Sequence, residues 1–336
     1  MLCETFEIQL LTGFLGSGKT TLLKTFIESL EAKDVGVVVN EIGEIDVDGA
    51  VLTQSAQKVP LALLSNGCIC CAGDGDLAGT IAMLQEERAG RGLAALRRVI
   101  VETSGAARPG PVLRGLQLLG SKARSTCIAT LDARDWRRAF ETREGRAQLA
   151  GAQRVVLTKL DCVSDAQKHL ALDAARAANP LGEIIVEGSL SDRAQLAFLN
   201  AARRSTDRSE PLLERRLDRP DRRIRSSIVR FGEAVAFDEL AEWLDNLAGL
   251  LGERLFRVKG LVRVEGADHR ILVQGVGTTI MQPVLFPAEG AESFLVVIGD
   301  GLESSELQSV EPALPCAISH GKRMSTVLGR ELHQLV

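Results

Sequence analysis

Ten residues, 12–21, constrain the fold more than any other stretch of this 336-residue chain. They read TGFLGSGKTT, follow an apolar run with Phe6, Ile8, Leu10 and Leu11, and lead into a run of helical periodicity. The spacing G-x-x-x-x-G-K-T is that of a phosphate-binding loop between a strand and a helix. Gly13, Gly16 and Gly18 let the backbone approach phosphate oxygens and offer N–H groups to them. Lys19 is placed to reach the β- and γ-phosphates, and the Thr20 hydroxyl to ligate Mg²⁺. A helix beginning after Gly18 points its positive end at the same anion. Gly13, Gly16, Ser17, Gly18, Lys19, Thr20 and Thr21 are therefore the first cofactor-binding candidates, and Lys19 also a catalytic one. The alternative, an ordinary glycine-rich turn, leaves the strand, loop and helix context unexplained.

Downstream, short β-branched runs alternate with helical ones. Strands are expected over 35–39, 61–64, 98–101, 125–131, 154–157 and 184–186. Helices are expected over 20–30, 76–87, 135–149 and 164–178, with another opening at Pro109 or Pro111. This alternation predicts an α/β fold, a P-loop NTPase domain with a mostly parallel sheet covered on both faces, over residues 1–190. The rhythm breaks over 191–223, read as a helix and then an exposed linker with Pro211 and Pro220. Its arginines are interleaved with acids, the pattern of a solvated linker rather than a nucleic-acid surface. A smaller α+β domain with a mainly antiparallel sheet is expected over 224–325. Its strands are predicted at 226–231, 256–264, 270–274, 279–286 and 294–298, and its helices at 237–251 and 303–310.

Composition narrows the function classes. Hydrophobic residues make up 45% and charged residues 25%, the balance of a soluble globular protein. A net charge of −4 argues against non-specific binding to nucleic acid or membrane surfaces. No apolar run reaches the roughly 18 residues of a membrane span, and the first ten residues lack the pattern of a signal peptide. The seven cysteines are odd in number and three of them cluster, which points away from a disulfide framework and toward a reducing, cytoplasmic setting.

Three further motifs carry chemistry. Thr158-Lys159-Leu160-Asp161 ends a β-branched run. A carboxylate there accepts from guanine N1–H and N2–H₂, a donor pair that adenine lacks, so GTP is favoured over ATP. Glu102 closes another apolar strand and is read as engaging Mg²⁺ or its water shell, while the Gly105 N–H is placed to sense a γ-phosphate. Glu102 facing solvent is the bland alternative. Cys68-Ile69-Cys70-Cys71 puts three thiols within four residues, soft ligands for Zn²⁺, Co²⁺ or Cu⁺. No second cysteine pair closes a four-thiolate site, so an open position suited to metal release is expected. Buried free thiols or a redox pair are the alternatives. Glu41 and Glu44 are candidate switch carboxylates, or an exposed acidic loop. The four histidines are isolated.

In this order, TGFLGSGKTTLL, NEIGEIDVDGA, LSNGCICC, VETSGAARP and TKLD resemble the CobW-type metallochaperone GTPases, relatives of the urease- and hydrogenase-maturation GTPases. LFRVKGLVRVEG, ILVQGVG and SFLVVIGDGL resemble that family's C-terminal domain. The resemblance implies a GTP hydrolase that delivers a metal, Zn²⁺ or else Co²⁺, to a client metalloenzyme. It implies Cys68, Cys70 and Cys71 as metal ligands, Glu41 as the switch carboxylate, and Thr158, Lys159 and Asp161 as guanine readers. A homodimer that depends on nucleotide or metal is compatible with it. A metal buffer or sensor without turnover is the alternative function, and a small-molecule kinase a more distant one. The chain departs from the family pattern at Thr158, where many relatives carry Asn, and at Ala72-Gly73-Asp74-Gly75, where many carry Thr or Ser and then a basic residue. It also lacks a His-rich tract.

Overall fold

The computed structural model describes residues 6–29, 34–40, 61–64, 75–92, 94–117, 123–199, 223–286 and 292–320. The chain divides into two compact units, 1–206 and 207–336.

The first unit contains strands β1 (Phe6–Gly13), β2 (Val35–Asn40), β3 (Leu61–Leu64), β4 (Arg98–Glu102), β5 (Ala123–Asp132), β6 (Arg154–Thr158) and β7 (Glu183–Ile185). They form one sheet in the order β3-β2-β4-β1-β5-β6-β7, every pair parallel. The P-loop strand β1 is therefore central, with β4 on one side and β5 on the other. The helices are α1 (Lys19–Ile27), α2 (Gly75–Gly90), α3 (Pro109–Gln117), α4 (Trp136–Glu141), α5 (Arg143–Gly151), α6 (Asp165–Ala178) and α7 (Leu190–Phe198). Leu22, Leu23 and Phe26 of α1 pack with Leu11, Ile100, Ile128, Val156 and Phe198 on one face of the sheet. Residues of opposite parity, such as Leu10, Val101 and Cys127, are equally buried, so both faces are covered, as parallel sheets require. Each such side chain contributes about 1.5–3 kcal/mol of burial.

Two departures from the sequence reading matter here. The helix expected over 135–149 is two helices, because Thr142 is extended (φ −104°, ψ 154°) and caps α5 by accepting from the Gly145 N–H. A Cβ at Gly145 would lie 2.1 Å from Ala139 O, so glycine permits the tight corner between α4 and α5. The helix read after residue 190 packs within the first unit. The Phe198 ring lies 4.8 Å from that of Phe26, and Phe198 O accepts from Gln9 Nε2 at 2.8 Å.

The second unit contains β8 (Ile224–Phe231), α8 (Phe237–Leu251), β9 (Leu255–Val262), β10 (Arg270–Val276), β11 (Thr279–Ile280), β12 (Val284–Phe286), β13 (Ser293–Asp300), α9 (Ser304–Gln308) and β14 (Cys316–His320). The order is β11-β10-β9-β13-β8-β14, with β12 also on β10, all antiparallel. Trp243, Leu244 and Leu247 of α8 cover Val229, Val258, Val273 and Val297 of the sheet. The strand expected over 279–286 is divided between β11 and β12, and β14 is an edge strand without a counterpart in the sequence reading. Next to Arg257, burial pushes Lys259 on β9 down to about 7. No helix among the described residues is long and apolar enough to cross a membrane.

Candidate nucleotide site

The chain leaves β1 through Gly13 at φ +142°, where a Cβ would lie 2.4 Å from Thr130 Oγ1 and 2.7 Å from Ser17 Oγ. No other residue fits there. Gly18 caps α1 in the left-handed region (φ 90°, ψ 23°), which keeps the N–H groups of the first turn clear of a side chain. The loop is cross-tied to its neighbours. Ser17 Oγ and Thr130 Oγ1 share a hydrogen bond of 2.6 Å, and Lys19 Nζ donates to Gly13 O at 2.9 Å. Lys19 is 8% exposed, so its ammonium sits over the loop rather than in solvent.

The parallel register sets Leu11 opposite Glu102, which brings the end of β4 beside the start of α1. Glu102 is 4% exposed, and its Oε1 accepts from Thr20 Oγ1 at 2.7 Å. The sequence alternative of a solvent-facing Glu102 is thereby excluded. Two hard oxygens this close are a donor set that suits Mg²⁺. The chain then turns through Thr103, whose N–H and hydroxyl both donate to Leu11 O, at 2.9 and 3.2 Å. At Gly105 a Cβ would lie 2.7 Å from Leu15 Cα and N, so this loop rests against the tip of the P-loop.

On the other flank, β6 delivers Thr158 and Lys159. Thr158 Oγ1 donates to Ser17 O at 2.7 Å and to Leu131 O at 3.2 Å, tying the P-loop to β5 and β6. Thr158 thus braces the loop. Lys159 has φ 55°, the one non-glycine residue with positive φ among those described, a strained conformation of the kind that functional sites retain. It sends its Nζ to Gly16 O at 2.6 Å and Asp132 Oδ2 at 2.7 Å. Burial raises the Asp132 carboxyl, but hydrogen bonds from Lys159 and Arg134 outweigh that and hold it below its ordinary value. Asp161 follows in a short 3-10 turn and is exposed, accepting from the Cys162 thiol at 3.3 Å.

Lys19, Thr20, Glu102, Gly105, Thr158 and Lys159 thus lie on the P-loop or in contact with it. Asp161 lies two residues beyond this cluster, with a free face. Asp132 and Thr130 belong to the cluster and carry no sequence motif; a polar residue closing the strand next to β1 was their only signal. Cys68, Cys70, Cys71, Glu41 and Glu44 lie outside the described residues. Among the described residues, no group of three or more His, Cys, Asp or Glu side chains could hold a metal ion.

A phosphate loop on the central strand of a parallel sheet, with Thr-Lys-x-Asp ending a strand on its flank, defines a nucleotide-binding P-loop protein. The chain belongs to the CobW/HypB/UreG family, whose nucleotide-binding domain profile matches residues 7–185, and the cobalamin synthesis protein CobW C-terminal domain profile matches 224–310. Among curated proteins it is similar to the zinc chaperone YjiA of Escherichia coli, 28% identical over 80% of this chain and 85% of that one. It is also similar to the zinc chaperone CobW of a Sinorhizobium species, 26% identical over 81% and 85%. The zinc-regulated GTPase metalloprotein activator 1 of Schizosaccharomyces pombe is 29% identical over 59% of this chain and half of its own length. The crystal structure of Zn(II)-bound YjiA GTPase from E. coli shares the fold, with TM-score 0.62, 22% identity, and coverage of 93% of this chain and 99% of that one.

Proposed function

We propose that this chain is a GTP-hydrolysing metallochaperone that carries Zn²⁺ to a client metalloenzyme in the cytoplasm. The observation that carries the reading is the junction of the P-loop with Glu102 on one flank and Thr158–Asp161 on the other. Family membership and the zinc-chaperone names of the relatives support the cargo. Co²⁺ is the second candidate cargo, because the pattern of the chain is near cobalt-handling relatives, as the match to a cobalamin synthesis protein domain supports.

In this mechanism the P-loop N–H groups and Lys19 bind the β- and γ-phosphates of GTP. Lys19 exchanges its bond to Gly13 O for phosphate oxygen, so little reorganisation is needed. Thr20 and Glu102 would hold Mg²⁺, which neutralises phosphate charge when bound. The Gly105 N–H donates to the γ-phosphate, and Asp161 accepts from the guanine edge. Water attacks the γ-phosphorus, the β–γ bridging oxygen leaves with GDP, and phosphate is released. Cys68, Cys70 and Cys71, with Glu41, hold the cargo metal in the GTP state. Thiolate ligation is tight, so release requires a switch that lowers affinity, and loss of the γ-phosphate supplies it. We further propose that residues 1–190 house both nucleotide and metal, with a helix and then an exposed linker over 191–223, the helix packed on the first unit, and the C-terminal domain over 224–325.

Single-turnover cleavage of GTP and of ATP, with and without Zn²⁺, tests this function. Cleavage of GTP in preference to ATP, at a rate that responds to Zn²⁺, is expected. Binding without cleavage under all conditions would leave a metal buffer or sensor, and preferred ATP cleavage would remove the guanine assignment.

A further inference from the structure

Gln148 lies on α5 with none of its surface exposed. Its Nε2 donates to two main-chain oxygens, Gly105 O at 3.0 Å and Ala107 O at 2.8 Å. Chemistry fixes the orientation of this amide, because two acceptors require its NH₂ end. The other end, Oε1, is buried with no hydrogen-bond partner among the described residues. That acceptor carries a desolvation cost which an apolar side chain of the same length would avoid. Core packing therefore does not explain a glutamine at this position, whereas the two bonds to the loop do.

Both acceptors belong to the loop that follows Glu102. The loop is already fixed at its start, where Thr103 bonds twice to Leu11 O, and it closes a turn from Ala107 N to Ser104 O at 3.0 Å. Gly105 lies between these anchors, against Leu15 of the P-loop on one side and Gln148 on the other. The side chain that sets the height of this loop over the P-loop comes from α5, more than forty residues along the chain.

We infer that Gln148 is the positioning residue for the γ-phosphate response: it holds the Gly105–Ala107 segment so that the Gly105 N–H faces the mouth of the P-loop. The inference rests on the reading above, in which that N–H senses the γ-phosphate. Such a residue separates nucleotides that have a γ-phosphate from those that lack one. A residue that merely stabilised the domain would affect both alike.

Gln148→Met keeps the length and removes both donors. In the full chain, affinity for a non-hydrolysable GTP analogue should fall about tenfold and kcat for GTP by a similar factor, with GDP affinity unchanged within about twofold. Equal losses for the two nucleotides, or no loss for either, would overturn the assignment. A second measurement needs no substitution. In wild-type protein with isotope-labelled glutamine, the Gln148 side-chain amide signal should shift on adding the GTP analogue and not on adding GDP. The same response to both would overturn the inference even if the variant failed to fold. A wild-type chain that cleaves GTP while the variant keeps full nucleotide discrimination removes only Gln148. A wild-type chain that treats the GTP analogue and GDP alike, without turnover, removes the functional reading and this inference with it.

Discussion

At the phosphate end of the site, Ser17, Lys19 and Glu102 are nearly inaccessible, and each is bonded to a neighbouring strand, to the loop itself or to the first turn of α1. At the proposed base end, Asp161 is exposed in a short 3-10 turn, and Thr158 and Lys159 reach back to the P-loop from beside it. The two ends solve different problems. Phosphate binding requires donors that do not reorganise, so the loop is braced by the strands on both sides before any ligand arrives. Base selection requires a carboxylate that is costly to leave unpaired once a base covers it, and such a group can wait in solvent. Changes at the phosphate end should therefore abolish function, whereas changes at the base end should alter which nucleotide is used.

The sharpest way to break this contrast is Lys19→Ala. It removes a charge-assisted donor to phosphate, and affinity for GTP and GDP should both fall by about 10²- to 10³-fold, measured by calorimetry. Retained affinity would show that the ammonium over the loop is not the phosphate ligand. Asp161→Ala should have a smaller and more selective effect. GTP affinity should fall by about 10- to 100-fold, ATP affinity should stay level, and the melting temperature should not change. A parallel loss for both nucleotides would move base reading elsewhere.

The smallest expected effect concerns the brace between the two ends. The folded-state pKa of Asp132 lies below its unfolded value, so its contribution to stability is present above the ordinary carboxylate pKa and is lost as pH falls through the folded value. Asp132→Asn should reduce stability by about 1 kcal/mol at neutral pH and by less in acid, measured by urea unfolding at several pH values. A difference that does not change with pH would mean that the Asp132–Lys159 ion pair does not contribute to stability.

The division between buried and exposed ends also explains what the sequence could reveal. The P-loop and the Thr158–Asp161 stretch are local patterns, because their chemistry depends on neighbouring residues of a single turn. Thr130, Asp132 and Gln148 act through bonds to residues 27 to 113 positions away in the chain, so no local pattern marks them. The break at Thr142 was visible in principle as a threonine three residues before Gly145. The helical periodicity on either side concealed it. The register that sets Glu102 against Leu11 follows from strand order, with β4 rather than β2 beside β1, and periodicity alone does not determine strand order. The edge strand β14 has no helix packed after it in the described residues to announce it as an element.

The central claim is that the γ-phosphate sets the affinity for metal. By linkage, a nucleotide that tightens metal binding must itself be bound more tightly by the metal-loaded chain. Chelator competition for Zn²⁺, run on the full chain with a non-hydrolysable GTP analogue and again with GDP, measures this coupling directly. Zn²⁺ should be held about tenfold or more tightly in the GTP-analogue state. Equal Zn²⁺ affinity in the two states would contradict a nucleotide-gated chaperone.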